Sequence, residues 1–285
     1  MATSTFGTVI DRPLASDLDD TTALDGLPGR FCLHYQPLLD LRTGAIETCE
    51  ALLRWNHPDF GLLHPHASLA GTRWCDDLDA LEEWALMEVC RQGARWNHHG
   101  LDIQVALNVT TTFLGSEAFL PSIEHALTRS GMSPRNLAID VPFAALAVDP
   151  LRVEHVARKL NSLDVAVIID GVVGDAHPVS LDHIEASAWK IDVRGQGHER
   201  STQHRSVGRA LDHAHEVGAM AIAKAVEDEQ DLAAVRVLGF DAAFGDVLSP
   251  AVDARSARTI FRPVPPTRPP LFGSLPDAGQ AVRNR

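Results

Sequence analysis

Positive charge is scarce in this chain: 25 Lys and Arg stand against 38 Asp and Glu in 285 residues, for a formal net charge of -13. A protein that coats a polyanion presents a basic stripe, so nucleic acid is excluded as a partner. A small anionic ligand held by a local site is not. No apolar run approaches the roughly 18 residues of a spanning helix, and no basic-then-apolar segment opens the chain as a secretion signal would. We therefore expect no membrane partner and a cytoplasmic location. The four cysteines, Cys32, Cys49, Cys75 and Cys90, include no C-x-x-C pair, so zinc-cage and redox motifs are missing. They read as small hydrophobes in a reducing compartment.

What is present suffices for one large core, since 45% of the residues are hydrophobic and barrels of about 200–250 residues fold as single domains. Residues 1–29 are rich in Asp, Thr, Gly and Ala with little apolar periodicity, which predicts a flexible arm. Residues 261–285 carry Pro263, Pro265, Pro266, Pro269, Pro270 and Pro276, which forbid regular structure and predict a disordered tail. The domain itself spans 30–260.

Within it, short apolar runs alternate with helical periodicity. Strands are expected at 31–39, 45–53, 103–108, 137–141, 165–169, 187–191, 219–223 and 241–244, and helices at 78–96, 116–129, 150–162, 199–216 and 227–237. This alternation predicts a (β/α)8 barrel of the TIM type. Only a turn at Thr43-Gly44 joins the first two strands, too short for a crossover, so one strand must run antiparallel.

Barrel chemistry sits where the C-terminal ends of the strands converge. The polar residues there are Glu50, Asn108, Asp140, Asp170, Lys190 and, just past its strand, Glu227. Acids with one amide and one lysine suit hard divalent cations and a phosphodiester. Taken singly, Asp140 or Asp170 reads equally as a helix N-cap.

Several motifs in order carry a resemblance. Tyr35-Gln36-Pro37 is followed by Glu50-Ala51-Leu52-Leu53-Arg54-Trp55, His57-Pro58 and Gly61, then Leu107-Asn108-Val109-Thr110, Trp189-Lys190-Ile191-Asp192, Ala225-Val226-Glu227-Asp228 and Leu238-Gly239-Phe240-Asp241. From about residue 30 to 252 the chain resembles the EAL family, the bacterial phosphodiesterases that open cyclic di-GMP. The family fold is the same modified barrel with one antiparallel strand. The resemblance implies Glu50, Asn108, Asp140 and Asp170 as metal ligands for Mg2+ or Mn2+, with Asp140 standing for a Glu. It implies Lys190 and Glu227 as catalytic groups, and Gln36 and Arg54 as contacts to the base and phosphate of cyclic di-GMP.

The departures weigh against hydrolysis. Without gaps, Ile169 takes the place of the first of two adjacent acids; a one-residue gap puts Asp170 there instead, and either way one acid is lost. Lys224 replaces a metal-binding Glu, Phe244 a Gln, and Phe143 a Glu that steadies a substrate and dimerisation loop. Glu50, Asp140, Asp170 and Glu227 then share the mouth with two ammonium groups, Lys190 and Lys224, which repel the cations a two-metal reaction needs. Lys224 can join Lys190 and Arg54 in holding a phosphate directly, or merely pair with Glu227. Ile169, Phe143 and Phe244 are expected to make the mouth more apolar.

The expected protein is thus a degenerate signalling module that binds cyclic di-GMP or a protein partner, with homodimerisation open. The alternatives are an active metal-dependent phosphodiesterase and a scaffold that binds no nucleotide. His64, His66, His98, His99, His213 and His215 are expected as solvated side chains, Trp84 and Trp96 as helix-to-barrel packing, and 171–178, with Asp175 and His177, as a mobile loop.

Overall fold

The computed structural model describes residues 21–23, 27–65, 78–172, 183–193 and 200–261. Most of the expected arm, the tail after 261, His66, Asp175, His177 and most of the 171–178 loop lie outside them. The strands are β1 (Thr21–Thr22), β2 (Arg30–Asp40), β3 (Thr48–His57), β4 (Gly61–Leu63), β5 (Gln104–Asn108), β6 (Leu137–Pro142), β7 (Ala166–Val172), β8 (Ala188–Asp192), β9 (Met220–Lys224) and β10 (Ala242–Ala243). The helices are α1 (Leu78–His98), α2 (Thr111–Gly115), α3 (Phe119–Ser130), α4 (Ala144–Val148), α5 (Pro150–Ser162), α6 (Arg200–Glu216), α7 (Glu229–Leu238) and α8 (Ala254–Ile260).

Every expected strand is present, and eight of the ten close a ring in the order β2-β10-β9-β8-β7-β6-β5-β3, with β3 pairing back onto β2. The reversed strand is β2, antiparallel to both β3 and β10, while the other neighbours in the ring run parallel. β3 pairs with β5 only through Thr48–Ala51 and then rises beyond the ring beside β2 and β4. This flap also contains β1, paired with Phe31 and Cys32, and Leu27 is buried in a small cluster with Phe31 and Trp55. The end of the segment expected as an arm is therefore built into the flap.

Alternation along each strand sorts side chains into two layers. Val167, Ile169, Trp189 and Ile191 pack outward against the helices, whereas Ala106, Ala138, Ala166, Ile168, Ala188 and Ile222 fill the ring. Barrel interiors usually carry bulky branched side chains. Alanines on four neighbouring strands leave room for a long polar side chain from β8. On the outside, Trp96 of α1 meets Tyr35 of β2 edge-on at 4.8 Å, as expected of a packing tryptophan.

The loop from β9 to α7 contains a strained residue. Ala225 has φ 62°, a left-handed conformation that a Cβ disfavours, and it stands where the family pattern has glycine. Ala225→Gly is expected to raise the free energy of unfolding by about 0.5–1 kcal/mol, because relief of strain exceeds the entropy glycine loses. Urea denaturation of the two proteins checks this; a lower midpoint for the glycine variant contradicts it.

Candidate functional site

Six polar side chains converge at the mouth, each on an inward position of its strand. Lys190 of β8 has no solvent exposure, and its Nζ donates to Glu50 Oε2 of β3 at 2.7 Å and to Asp140 Oδ2 of β6. Asn108 of β5 donates its amide N–H to Glu50 Oε1. Register explains the meeting: Asn108 lies opposite Asp140, and Asp170 opposite Lys190. On the far side Lys224 of β9 donates to Asp170 Oδ1 of β7 at 2.7 Å. Lys224 thus pairs with Asp170, an acid 54 positions away in sequence. Glu227 is exposed beyond β9, and its backbone N–H is held by Asp231.

Burial and charge act against each other here. Burial pushes the Asp140 carboxyl up to about 7, against the pull of Lys190 and with help from Glu50 and Asp170. Burial alone would lower the Lys190 ammonium, but Asp140, Glu50 and Asp170 together hold it above its ordinary range. The native state binds the Asp140 proton more tightly than the unfolded chain does. Its contribution to stability is therefore present in acid and is lost as pH rises from about 4 to about 7. Asp140 Oδ1, also buried, has no hydrogen-bond partner among the described residues.

Of the two alignments left open at the lost acid, the geometry agrees with the gapped one: Ile169 faces the helix layer and is fully buried there. Asp170 takes the inward position, and a register shift between Asp170 and Val172 makes Gly171, with φ 80°, the extra residue of a bulge. Gly171 thus follows Asp170 at the place where the resemblance implies the second of two adjacent acids. Phe143 likewise packs against the outer core, so of the three residues expected to make the mouth apolar only Phe244 does so. Its ring lies 5.0 Å from Lys190 Nζ, within cation–π range. The N-cap reading open for Asp140 and Asp170 belongs instead to Asp149 of α5 and Asp228 of α7, whose carboxylates accept from Arg152 and Asp231 backbone N–H groups.

The residues expected to contact a nucleotide sit on the β2–β3 ribbon above this cluster. Gln36 lies opposite Glu50 in register. Its amide nitrogen donates to Ser249 O at 3.1 Å and Asp246 Oδ1 at 3.4 Å. Both partners are pure acceptors, which fixes the amide orientation and leaves Gln36 Oε1 as the available acceptor. Arg54 lies on the same face, half-buried, with Nη1 bonded to Leu53 O at 3.1 Å and 3.3 Å from His64 Nδ1. Burial lowers its guanidinium below the usual range, with Cys32 and Glu50 opposing. An arginine cannot accept a hydrogen bond, so His64 meets it through the lone pair of a neutral ring. Sequence reading missed Asp246 and His64 as partners because both lie on loops outside the motifs. His57, by contrast, builds its hairpin, accepting from Asp59 and Phe60 backbone N–H groups.

Glu50, Asn108 and the unpartnered oxygen of Asp140 form a compact oxygen-rich group, but Lys224 holds Asp170 and Gly171 offers no carboxylate. Among the described residues no three His, Cys, Asp or Glu side chains are grouped as a metal cluster.

A closed barrel with one reversed strand and an acid-lysine mouth defines the class, and sequence comparison agrees with it. The EAL domain pattern matches residues 22–251, and the chain belongs to that family. It is similar to the cyclic di-GMP phosphodiesterase NbdA of Pseudomonas aeruginosa, at 30% identity over 162 residues, covering 56% of this chain and 21% of the relative. It is also similar to the bifunctional diguanylate cyclase/cyclic di-GMP phosphodiesterase MucR of the same organism, at 30% over 165 residues, covering 57% of this chain and 24% of the relative. The chain thus spans about a quarter or less of these relatives. Among solved structures, the MucR phosphodiesterase in complex with c-di-GMP superposes with TM-score 0.74 and 26% identity, covering 80% of this chain and 94% of that one. The FimX EAL domain of Pseudomonas aeruginosa bound to c-di-GMP superposes with TM-score 0.70 at 20% identity, covering 78% and 90%, a likeness of fold. No helix among the described residues is long and apolar enough to cross a membrane.

Proposed function

We propose that this EAL domain is a cyclic di-GMP receptor in which built-in ammonium groups have displaced the two-metal centre, so that it binds the nucleotide with little or no hydrolysis. The observation that carries this is the Lys224–Asp170 ion pair at 2.7 Å. A lysine at a metal-binding position neutralises the acid it reaches and repels an incoming divalent ion. A phosphodiester, carrying the opposite charge, is attracted to the same group.

In this reading Arg54 and Lys224 take the phosphates through charge-assisted hydrogen bonds, the guanidinium with paired donors and the ammonium as a point charge. Gln36 Oε1 accepts from a base. Lys190, wholly committed to Glu50 and Asp140, keeps those acids from repelling the ligand. A protein partner reading the liganded state, or a second copy of the chain, then passes the signal on.

The test is calorimetric titration with cyclic di-GMP, once in chelator and once with Mn2+. Equal affinity in both is expected, weakened about tenfold or more by Arg54→Ala, as loss of a charge-assisted pair implies. Binding that requires the metal, or turnover to the linear dinucleotide abolished by Glu50→Ala, overturns the receptor reading. That outcome favours a second reading, an active phosphodiesterase, for which the unpartnered Asp140 Oδ1 beside Glu50 and Asn108 speaks. Those three residues would then hold one Mg2+ or Mn2+, which supplies Lewis-acid polarisation of the phosphodiester. No binding with an intact fold leaves a nucleotide-independent scaffold.

A further inference from the structure

We propose that Glu82 of α1, buried behind the mouth, is a positioning residue that holds the β5–α2 turn and, through it, the Asn108 corner of the site. No motif points to it; its partners do. Glu82 is 3% exposed, and both of its oxygens serve one residue. Oε1 accepts from the Thr110 backbone N–H and Oε2 from the Thr110 hydroxyl, each at 2.7 Å. Thr110 in turn accepts from Phe113 N–H and caps α2. The preceding residue donates its N–H to Asp140 O, and the one before that bonds Glu50 through its amide. Residues 108–110 are thus tied at successive points to Glu50, Asp140 and Glu82, so that a movement of Thr110 is passed two residues along to the amide that orients Glu50.

A buried carboxylate is an expensive way to hold a turn that Thr110 already caps. Burial pushes Glu82 up to about 7, against the two Thr110 hydrogen bonds and with a small push from Asp79. Few other charges face it among the described residues. β5 and α2 carry no titratable side chain, Glu83 is turned to Ser122, and Glu124, His125 and Arg129 of α3 are exposed. On β2, Tyr35 faces the helix layer at the other end of α1, against Trp96. Charged, Glu82 accepts both bonds; protonated, one oxygen becomes a donor, both contacts lose their charge assistance and the turn loosens. The carboxyl's elevated position makes its stability contribution fall as pH rises from about 4.5 to about 7. The latch therefore closes at some cost to the fold, which is the mark of a positioning role rather than a structural one.

The test combines amide exchange and titration on the full chain, using Glu82→Gln, which keeps the shape but cannot accept from Thr110 at both atoms. At pH 8 the variant is expected to melt no lower than the parent. The exchange protection of the Thr110 amide should fall about tenfold or more, as loss of one charged hydrogen bond implies. In the unsubstituted protein the same amide should lose protection, corrected for intrinsic rate, as pH is taken from 8 to 6. Cyclic di-GMP affinity, which rests on the proposed receptor reading, should fall over that range, and fall less in the variant, whose remaining pH dependence is that of Asp140. Unchanged Thr110 protection, or a loss of protection spread evenly over the barrel with a lower melting point, overturns the proposal. Absence of nucleotide binding by the parent removes the receptor reading alone, and the exchange result then decides on Glu82 by itself.

Discussion

Replacing Lys190 by methionine is expected to cost about 3–5 kcal/mol of stability at pH 8, as when one partner of a buried ion pair is removed. Methionine fills much the same volume, so the loss is electrostatic. Glu50 and Asp140 are 7% and 1% exposed and share this one ammonium. Without it two carboxylates face each other in the alanine-lined ring. The penalty should shrink in acid. Asp140 lies at about 7 even with the ammonium beside it, so its protonation removes one of the two charges well above the ordinary carboxylate range. Denaturant unfolding of parent and variant at pH 8 and pH 5 provides the check. A difference that stays the same at both pH values indicates lost packing instead, and removes the view of Lys190 as the charge that holds the mouth together.

Exchanging charge at the other ion pair should change the ligand the mouth prefers. Lys224→Glu combined with Gly171→Asp replaces an ammonium with a carboxylate and adds a second acid beside Asp170. A Cβ at Gly171 meets no atom within 4 Å, and aspartate tolerates the positive φ better than most side chains. Affinity for Mn2+ is expected to rise by about 100-fold, roughly 2.7 kcal/mol, while binding of cyclic di-GMP in chelator weakens. Titration with Mn2+ and with nucleotide reads both. Ile169→Asp with Lys224→Glu is the control: it buries an unpaired carboxylate in the outer core, so it should destabilise the fold and gain less metal affinity than the Gly171 pair, because only its Lys224→Glu half acts at the mouth. If the Gly171 double variant binds Mn2+ no better than the parent, the charge account of this site is wrong.

The corrections share a physical origin. A one-residue shift in a strand moves every later side chain to the opposite face. Counting back from Lys190 puts Ile169 at the lost acid without a gap and Asp170 in the first place with one, and nothing in Ile169-Asp170-Gly171-Val172 except a glycine marks the bulge that decides between them. Phe143 was misplaced for a related reason: an aromatic after a strand can turn towards the mouth or the helices, and packing decides. Lys224 finds its partner in Asp170, 54 positions away on β7, which no local pattern announces. Glu82 carries no sequence signal of its place, since a glutamate in a helix is ordinarily solvated, yet it lies on the buried face of α1.

Alternating and helical periodicities, the short Thr43-Gly44 turn and the order of the motifs were enough to specify a barrel with one reversed strand and to name the polar groups at its rim. These are local properties, carried by neighbours along the chain. Which groups neutralise which was decided only when the ring closed and brought Lys190 to Glu50 across 140 positions and Lys224 to Asp170 across 54. Coulomb energy depends on separation in space and on the surrounding dielectric, and a string of residues specifies neither until it has folded.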